Sequence, residues 1–163
     1  MSIEAVPPAQ PGVTPAFVAA SMGGIGLVRV FPGTWGAMLV LPAVLLGPLP
    51  CLGLGALVAA LGWWATHQAL RERPGVQDPS WIVVDEAAGQ LIALAGLPLE
   101  ANAAGLIMAF ALFRALDILK PGPVGWADSR GGSFGVMLDD LVAGVIAAIG
   151  LMLFHRYYPG VLN

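Results

Sequence analysis

Long apolar runs alternate with short polar or Pro/Gly-rich breaks along the chain, and the breaks divide it into five segments. Thr34 to Leu49 is the first run, parted by Pro48-Leu49-Pro50 from the second, Leu52 to Ala69. A polar stretch from Arg71 to Ser80 follows, with Pro74, Gly75 and Pro79. Trp81 to Leu97 is the third run, closed by Gly96 and Pro98, and Ala101 to Leu119 is the fourth, stopped by Lys120-Pro121. Pro121 to Gly135 reads as a Gly/Pro-rich loop, and Val136 to Phe154 is the fifth run. Continuous runs of this length select helices over strands. A spanning helix needs about 20 residues, with a range of roughly 17–25. The second, fourth and fifth runs meet that length, and the third meets it with its polar first turn in the headgroup zone. The first is short and carries Pro42, so it is expected half-inserted, or tilted with the second as a hairpin. The expected fold is an all-α polytopic membrane bundle of about five helices, with four full spans as the alternative. Residues 1–22 read as a flexible Pro-rich N-terminal tail and 23–163 as a single membrane-embedded domain. The stretch Met1 to Ala16 has no Lys or Arg, so it lacks the cationic start of a signal peptide.

Composition sharpens this picture. Hydrophobic residues make up 58% and charged residues 10% of the 163, where a soluble domain carries roughly 25% charged. Mean hydropathy is +0.82. The bilayer is the natural solvent for such a chain, and there every backbone group must be satisfied internally. A net charge of −3 offers no basic footprint for nucleic acid. With Cys51 the only cysteine, neither an intrachain disulfide nor a cysteine-rich metal site can form. Trp35, Trp63, Trp64 and Trp81 fall near expected helix ends, where tryptophan anchors to the interface. With a cytoplasmic N-terminus and five crossings, Arg29, Arg71, Arg73, Lys120 and Arg130 lie inside and Arg156 outside, in keeping with the positive-inside rule.

On this map the acids gather at one surface. Asp85 and Glu86 sit one turn into the third helix, Asp117 in the last turn of the fourth, and Asp139 and Asp140 near the start of the fifth. Asp78 and Asp128 occupy the two cytoplasmic loops. Like charges near a low-dielectric medium repel strongly, and intramembrane ionisable groups need partners. The nearby cations are Arg114, Lys120 and Arg130, fewer than the carboxylates. A hard divalent ion with all-oxygen ligands, Mg²⁺ or Mn²⁺, would settle the imbalance. Asp85, Glu86, Asp117, Asp139 and Asp140 are the candidate ligands and catalytic groups, with Asp78 and Asp128 as outer candidates. Arg114, Lys120 and Arg130 are the candidate phosphate-binding cations. Each feature also has a plain structural reading. Asp139 could cap a helix, Asp117 could pair with Lys120, and Asp85 and Glu86 could be solvated at the interface. His67 reads as interfacial. Gly89 and Gly144 follow Asp85 and Asp140 by four residues and suit close helix packing.

At these same residues the sequence resembles the phosphatidylglycerophosphatase A family. The matching stretches are Pro32-Gly33-Thr34-Trp35-Gly36, Trp81 to Gln90 with its Asp85-Glu86 pair, Phe113 to Pro123, and Gly135 to Gly144 with Asp139-Asp140. Ala87 stands where the family often has valine, and Leu116 where an aromatic is expected. The resemblance implies Mg²⁺-dependent hydrolysis of phosphatidylglycerophosphate to phosphatidylglycerol and phosphate. It also implies a phospholipid substrate in the bilayer, a bacterial inner-membrane location and an active site facing the cytoplasm. Three rivals compete: an acid-lined ion or proton transporter, a non-catalytic membrane subunit, and a CDP-alcohol phosphotransferase-like enzyme, whose Asp-Gly…Ala-Arg signature is missing.

Overall fold

The computed structural model describes residues 13–72 and 79–163. Its centre is a short helix, α4 (Val84–Leu94), in which every residue but Glu86 is buried. At about 1.5 Å per residue, its 11 residues are too short to cross a hydrocarbon layer alone. The non-helical backbone at its ends is tolerated at that depth because other helices enclose it.

Four passes surround α4. In α3 (Pro48–Arg71), Gly55 lies against Leu91 and Ile92 and Gly62 against Val84, so α3 runs antiparallel to α4. In α5 (Ala103–Leu119), Phe113 meets Gly89 and Gly105 meets Leu97, again antiparallel. In α7 (Gly132–Tyr157), Asp140 and Gly144 lie against Gly89 and Ala148 against Gly96, so α7 is parallel to α4. The remaining pass is broken. α2 (Pro32–Leu39) starts with Gly33 at Glu86, a tighter 3₁₀ stretch continues over Leu41–Leu46, and the pass ends with Gly47 beside Leu99. Pro42 has no N–H to continue an α-helical ladder, which accounts for the change of winding. Among the described residues the bundle therefore has five segments alternating in direction and no strand, an all-α bundle as the runs predict; the third run, expected to span, holds only the short α4, and the fourth holds the 17-residue α5.

Two further helices lie where the sequence reads as irregular. Pro15–Ala20 forms α1, although it falls within the expected tail. Thr14 caps it by accepting from the Phe17 N–H at 3.1 Å, Pro15 fits the first turn, and Phe17 packs on Trp81 with ring centroids 4.9 Å apart. Trp81 is thus a packing residue, while Trp35, Trp63 and Trp64 stay exposed as the anchoring expectation requires. α6 (Pro123–Asp128) occupies the Gly/Pro-rich loop and folds back on α7.

The outward faces are apolar. Leu57, Leu61, Ile107, Val145, Ile149, Met152 and Leu153 are all exposed. α3 and α7 are long and apolar enough to cross a membrane, and only 28% and 44% of their most apolar stretches are covered by protein. A soluble protein's core helices would be covered, whereas these faces match lipid. Lipid offers no hydrophobic drive to helix association, so close packing carries the load. The α4–α7 seam meets this with Gly89, Ala93, Gly144 and Ala147, all buried.

Candidate active site

One end of the bundle holds a cavity of about 250 Å³ where α4 and α7 begin and α5 ends. All five carboxylates expected from sequence line it, together with Arg114 and Lys120. Asp85 and Glu86 stand in the first turn of α4, where the positive end of the helix dipole favours them. Asp85 Oδ1 also accepts from the Glu86 N–H at 3.1 Å. On α5, three-residue spacing brings Arg114 over Asp117, to which its Nη1 donates. The same nitrogen is 4.0 Å from Glu86 Oε1, and Nη2 donates to Thr34 Oγ1 at 3.4 Å.

Lys120 is placed by backbone geometry. It ends α5 at φ 45°, ψ 52°, a left-handed cap that few side-chain-bearing residues adopt, and Pro121 forbids further helix. The turn aims its ammonium at Asp139 Oδ2, at 2.7 Å, and at Asp128 Oδ1. Burial works against its charge, but the hydrogen bonds and negative charge of these two partners outweigh it and raise the Lys120 pKa above that of an ordinary lysine.

Asp139 and Asp140 are 5% and 3% exposed. α7 begins at Gly132, so neither residue caps it; both lie about two turns inside. Asp139 Oδ1, Asp140 Oδ1 and Glu86 Oε2 are buried without a hydrogen-bond partner among the protein atoms, as is Arg114 Nε. Carboxylate oxygens of Asp85, Glu86 and Asp140 lie within 4.8 Å of one another, and so do those of Asp117, Asp139 and Asp140. At an effective dielectric of about 20, two carboxylates roughly 5 Å apart repel by about 3 kcal/mol. Three at a time with orphaned oxygens form a donor set suited to a hard cation.

Three expected members stand elsewhere. Arg130 is absent from the cavity wall; it stacks on Trp126 at 4.2 Å and lines a separate cleft with His67, Arg71 and Ser133. Asp128 is exposed and reaches the site only through Lys120. Asp78 lies outside the described residues. The structure adds Thr34, Ser80 and the wall Phe31-Pro32-Gly33. A Cβ at Gly33 would fall 1.8 Å from Glu86 Oε1, so any side chain there would push the Glu86 carboxylate aside. The Pro-Gly-Thr motif was visible in the sequence, but nothing in it shows that Thr34 meets an arginine eighty positions on.

Comparison with known proteins gives the family. Residues 18–155 match the family profile described as Phosphatidylglycerophosphatase A. The chain is 37% identical over 147 residues to Phosphatidylglycerophosphatase A of Escherichia coli, covering 86% of this chain and 84% of the relative. It is 38% identical over 132 residues to the protein of the same name in Haemophilus influenzae, covering 77% and 80%. A Bacteroides thetaiotaomicron protein provisionally named a phosphatidylinositol-3-phosphatase is 36% identical over 161 residues, covering 93% and 99%. No solved structure matches. The apolar helices and the bacterial relatives mark a bacterial membrane protein.

Proposed function

This chain belongs to the phosphatidylglycerophosphatase A family, and from that premise we propose that it hydrolyses the phosphomonoester of phosphatidylglycerophosphate at the cytoplasmic face of a bacterial inner membrane, with Mg²⁺. It is a phosphatase, as its named relatives are. The observation that carries the substrate reading is the cavity itself: five carboxylates face an arginine and a lysine at one end of an apolar bundle. A lipid phosphomonoester presents its phosphate at that depth. A cation relay through the membrane would place its acids toward the middle instead.

The residues present fit Mg²⁺. Asp85, Glu86 and Asp140 would hold it, because their oxygens converge and those of Glu86 and Asp140 include buried atoms with no other partner. When bound, the ion supplies positive charge to a phosphate oxygen and makes an attacking water more acidic. The protein's own cations do the rest. Arg114 is held by Asp117 and Thr34 with its Nε free, so the guanidinium is pre-oriented to receive a phosphate oxygen. Lys120 is fixed by Asp139 and Asp128 and brings a second positive charge to the same cavity. Such pre-set charges stabilise the developing transition state without reorganisation. Phe31, exposed at the cavity wall, offers an apolar surface to the lipid beside the phosphate.

The deciding experiment is phosphate release by purified protein from phosphatidylglycerophosphate and other lipid phosphomonoesters, with Mg²⁺ and after chelation. Release from phosphatidylglycerophosphate that chelation abolishes and Mg²⁺ restores is expected. Undiminished release after chelation would refute the metal requirement. Faster release from a phosphoinositide would move the substrate assignment toward that of the Bacteroides relative.

A further inference from the structure

We infer that the cavity holds two divalent cations bridged by Asp140, an inference that rests on the metal-dependent phosphatase reading above. The acids do not form one ring. They form two sets of three, Asp85-Glu86-Asp140 and Asp117-Asp139-Asp140, and Asp140 belongs to both. A carboxylate has two oxygens, so one side chain can ligate an ion on each side. Asp140 sits between the sets because α7 runs parallel to α4 and crosses α5 at the same depth, with its backbone carbonyl against Gly89.

A second observation points to ligands. Asp139 and Asp140 are both more than nine-tenths buried, and each has an oxygen without a partner among the protein atoms. Asp139 Oδ2 is taken by Lys120, which leaves Oδ1 as its free oxygen in the second set. Glu86 Oε2, in the first set, is likewise buried and unpartnered. Each set thus contains an orphaned oxygen of its own besides that of Asp140.

Charge, with the five lining carboxylates ionised, favours two ions over one. The cavity is lined by Asp85, Glu86, Asp117, Asp139 and Asp140 against Arg114 and Lys120, so five negative and two positive charges leave three negative. One divalent ion leaves one negative charge, which repels a phosphate dianion. Two leave one positive charge, which attracts it. Paired ions straddling a carboxylate are also the arrangement that phosphoryl-transfer sites use to clamp a phosphate.

The test uses Mn²⁺, which takes the same oxygen ligands as Mg²⁺ and is paramagnetic. The full-length protein in lipid nanodiscs is titrated with MnCl₂, and bound metal per chain is read by equilibrium dialysis alongside electron paramagnetic resonance. Two ions per chain are expected. The lone-ion spectrum should give way, as the second ion binds, to an exchange-coupled one with half the hyperfine spacing. Asp140→Asn should abolish the coupling and weaken total binding at least tenfold. Asp117→Asn should keep one ion with a lone-ion spectrum, which secures the test if Asp140→Asn misfolds. Saturation at one ion, two uncoupled ions, or coupling that survives in well-folded Asp140→Asn protein would each overturn the inference. If Mg²⁺-dependent phosphate release persists with a single Mn²⁺ bound, the second site fails and the phosphatase reading stands. Absence of release from every lipid phosphomonoester sinks that reading instead, while stoichiometry and coupling still report on the sites.

Discussion

Gly144→Ala tests whether the α4–α7 seam sets the spacing of the acids. A Cβ at residue 144 would lie 2.3 Å from the Gly89 carbonyl oxygen and 3.0 Å from its Cα. Both neighbours are backbone, so no side chain can swing aside. Ordinary contact begins at 3.4 Å, so the helices must separate by about 1.1 Å at this point. Asp85 and Asp140 stand one turn, about 6 Å, from the two glycines. The separation therefore reaches carboxylates whose oxygens now lie within 4.8 Å of each other. Overpacking of this kind costs roughly 1–3 kcal/mol, which leaves a folded protein, whereas an ångström of misplacement costs on the order of 10²-fold in rate. Phosphate release and Mg²⁺ affinity should fall together while thermal unfolding shifts only moderately. Gly53→Ala is the control. It lies on the exposed face of α3 with nothing within 4 Å of the added carbon, and should leave activity unchanged. Near-normal turnover by Gly144→Ala in membrane-inserted protein would refute the claim that this seam fixes the site.

Four other outcomes follow. Gly33→Ala pushes on the end of the Glu86 side chain rather than on backbone, so it should cost at least tenfold in activity with little loss of stability, read by parallel kinetics and melting. Arg114→Lys keeps the charge but cannot engage Asp117, Glu86 and Thr34 together, so it should lose on the order of 10²-fold in rate; full activity would refute the forked role. The Lys120 pKa is raised in the fold, so its stabilising contribution is complete below the unfolded value of about 10.4 and is lost only as pH rises through the folded value. The melting difference between wild type and Lys120→Met should accordingly stay flat between about pH 7 and 9 and shrink at more alkaline pH. With the cavity facing the cytoplasm, an impermeant thiol reagent should label Ser129→Cys only in inside-out vesicles and Glu100→Cys only in intact cells. The reverse pattern would invert the orientation.

The passes and the acid cluster were legible because each leaves a one-dimensional trace. Run length and breakers mark a pass, and an acid in an apolar chain stands out by its rarity. Where a partner is set by packing, the trace disappears. Gly131, Gly132 and Gly135 read as loop, yet α7 begins at Gly132, and Gly135 packs close against the backbone of Asp128 and Arg130. That early start takes Asp139 and Asp140 two turns inside and turns Arg130 away onto Trp126. Thr34 carries one hydroxyl in an apolar stretch, and only the fold brings it to Arg114. α1 lies in a stretch whose prolines read as tail, although Thr14 and Pro15 form an adequate helix start.

The enclosure of α4 has a bearing on how the protein is made. A helix of 11 residues that carries Asp85 and Glu86 is a poor candidate for stable insertion by itself. Of the passes that enclose it, α2 and α3 are synthesised before it and α5 and α7 after it, and α7 supplies the last two acids. The enclosure of α4 is therefore complete only once α7 is made, and no nascent chain that stops short of Asp140 carries all five acids. On the proposed chemistry, translation past Asp140 is the step that completes the site.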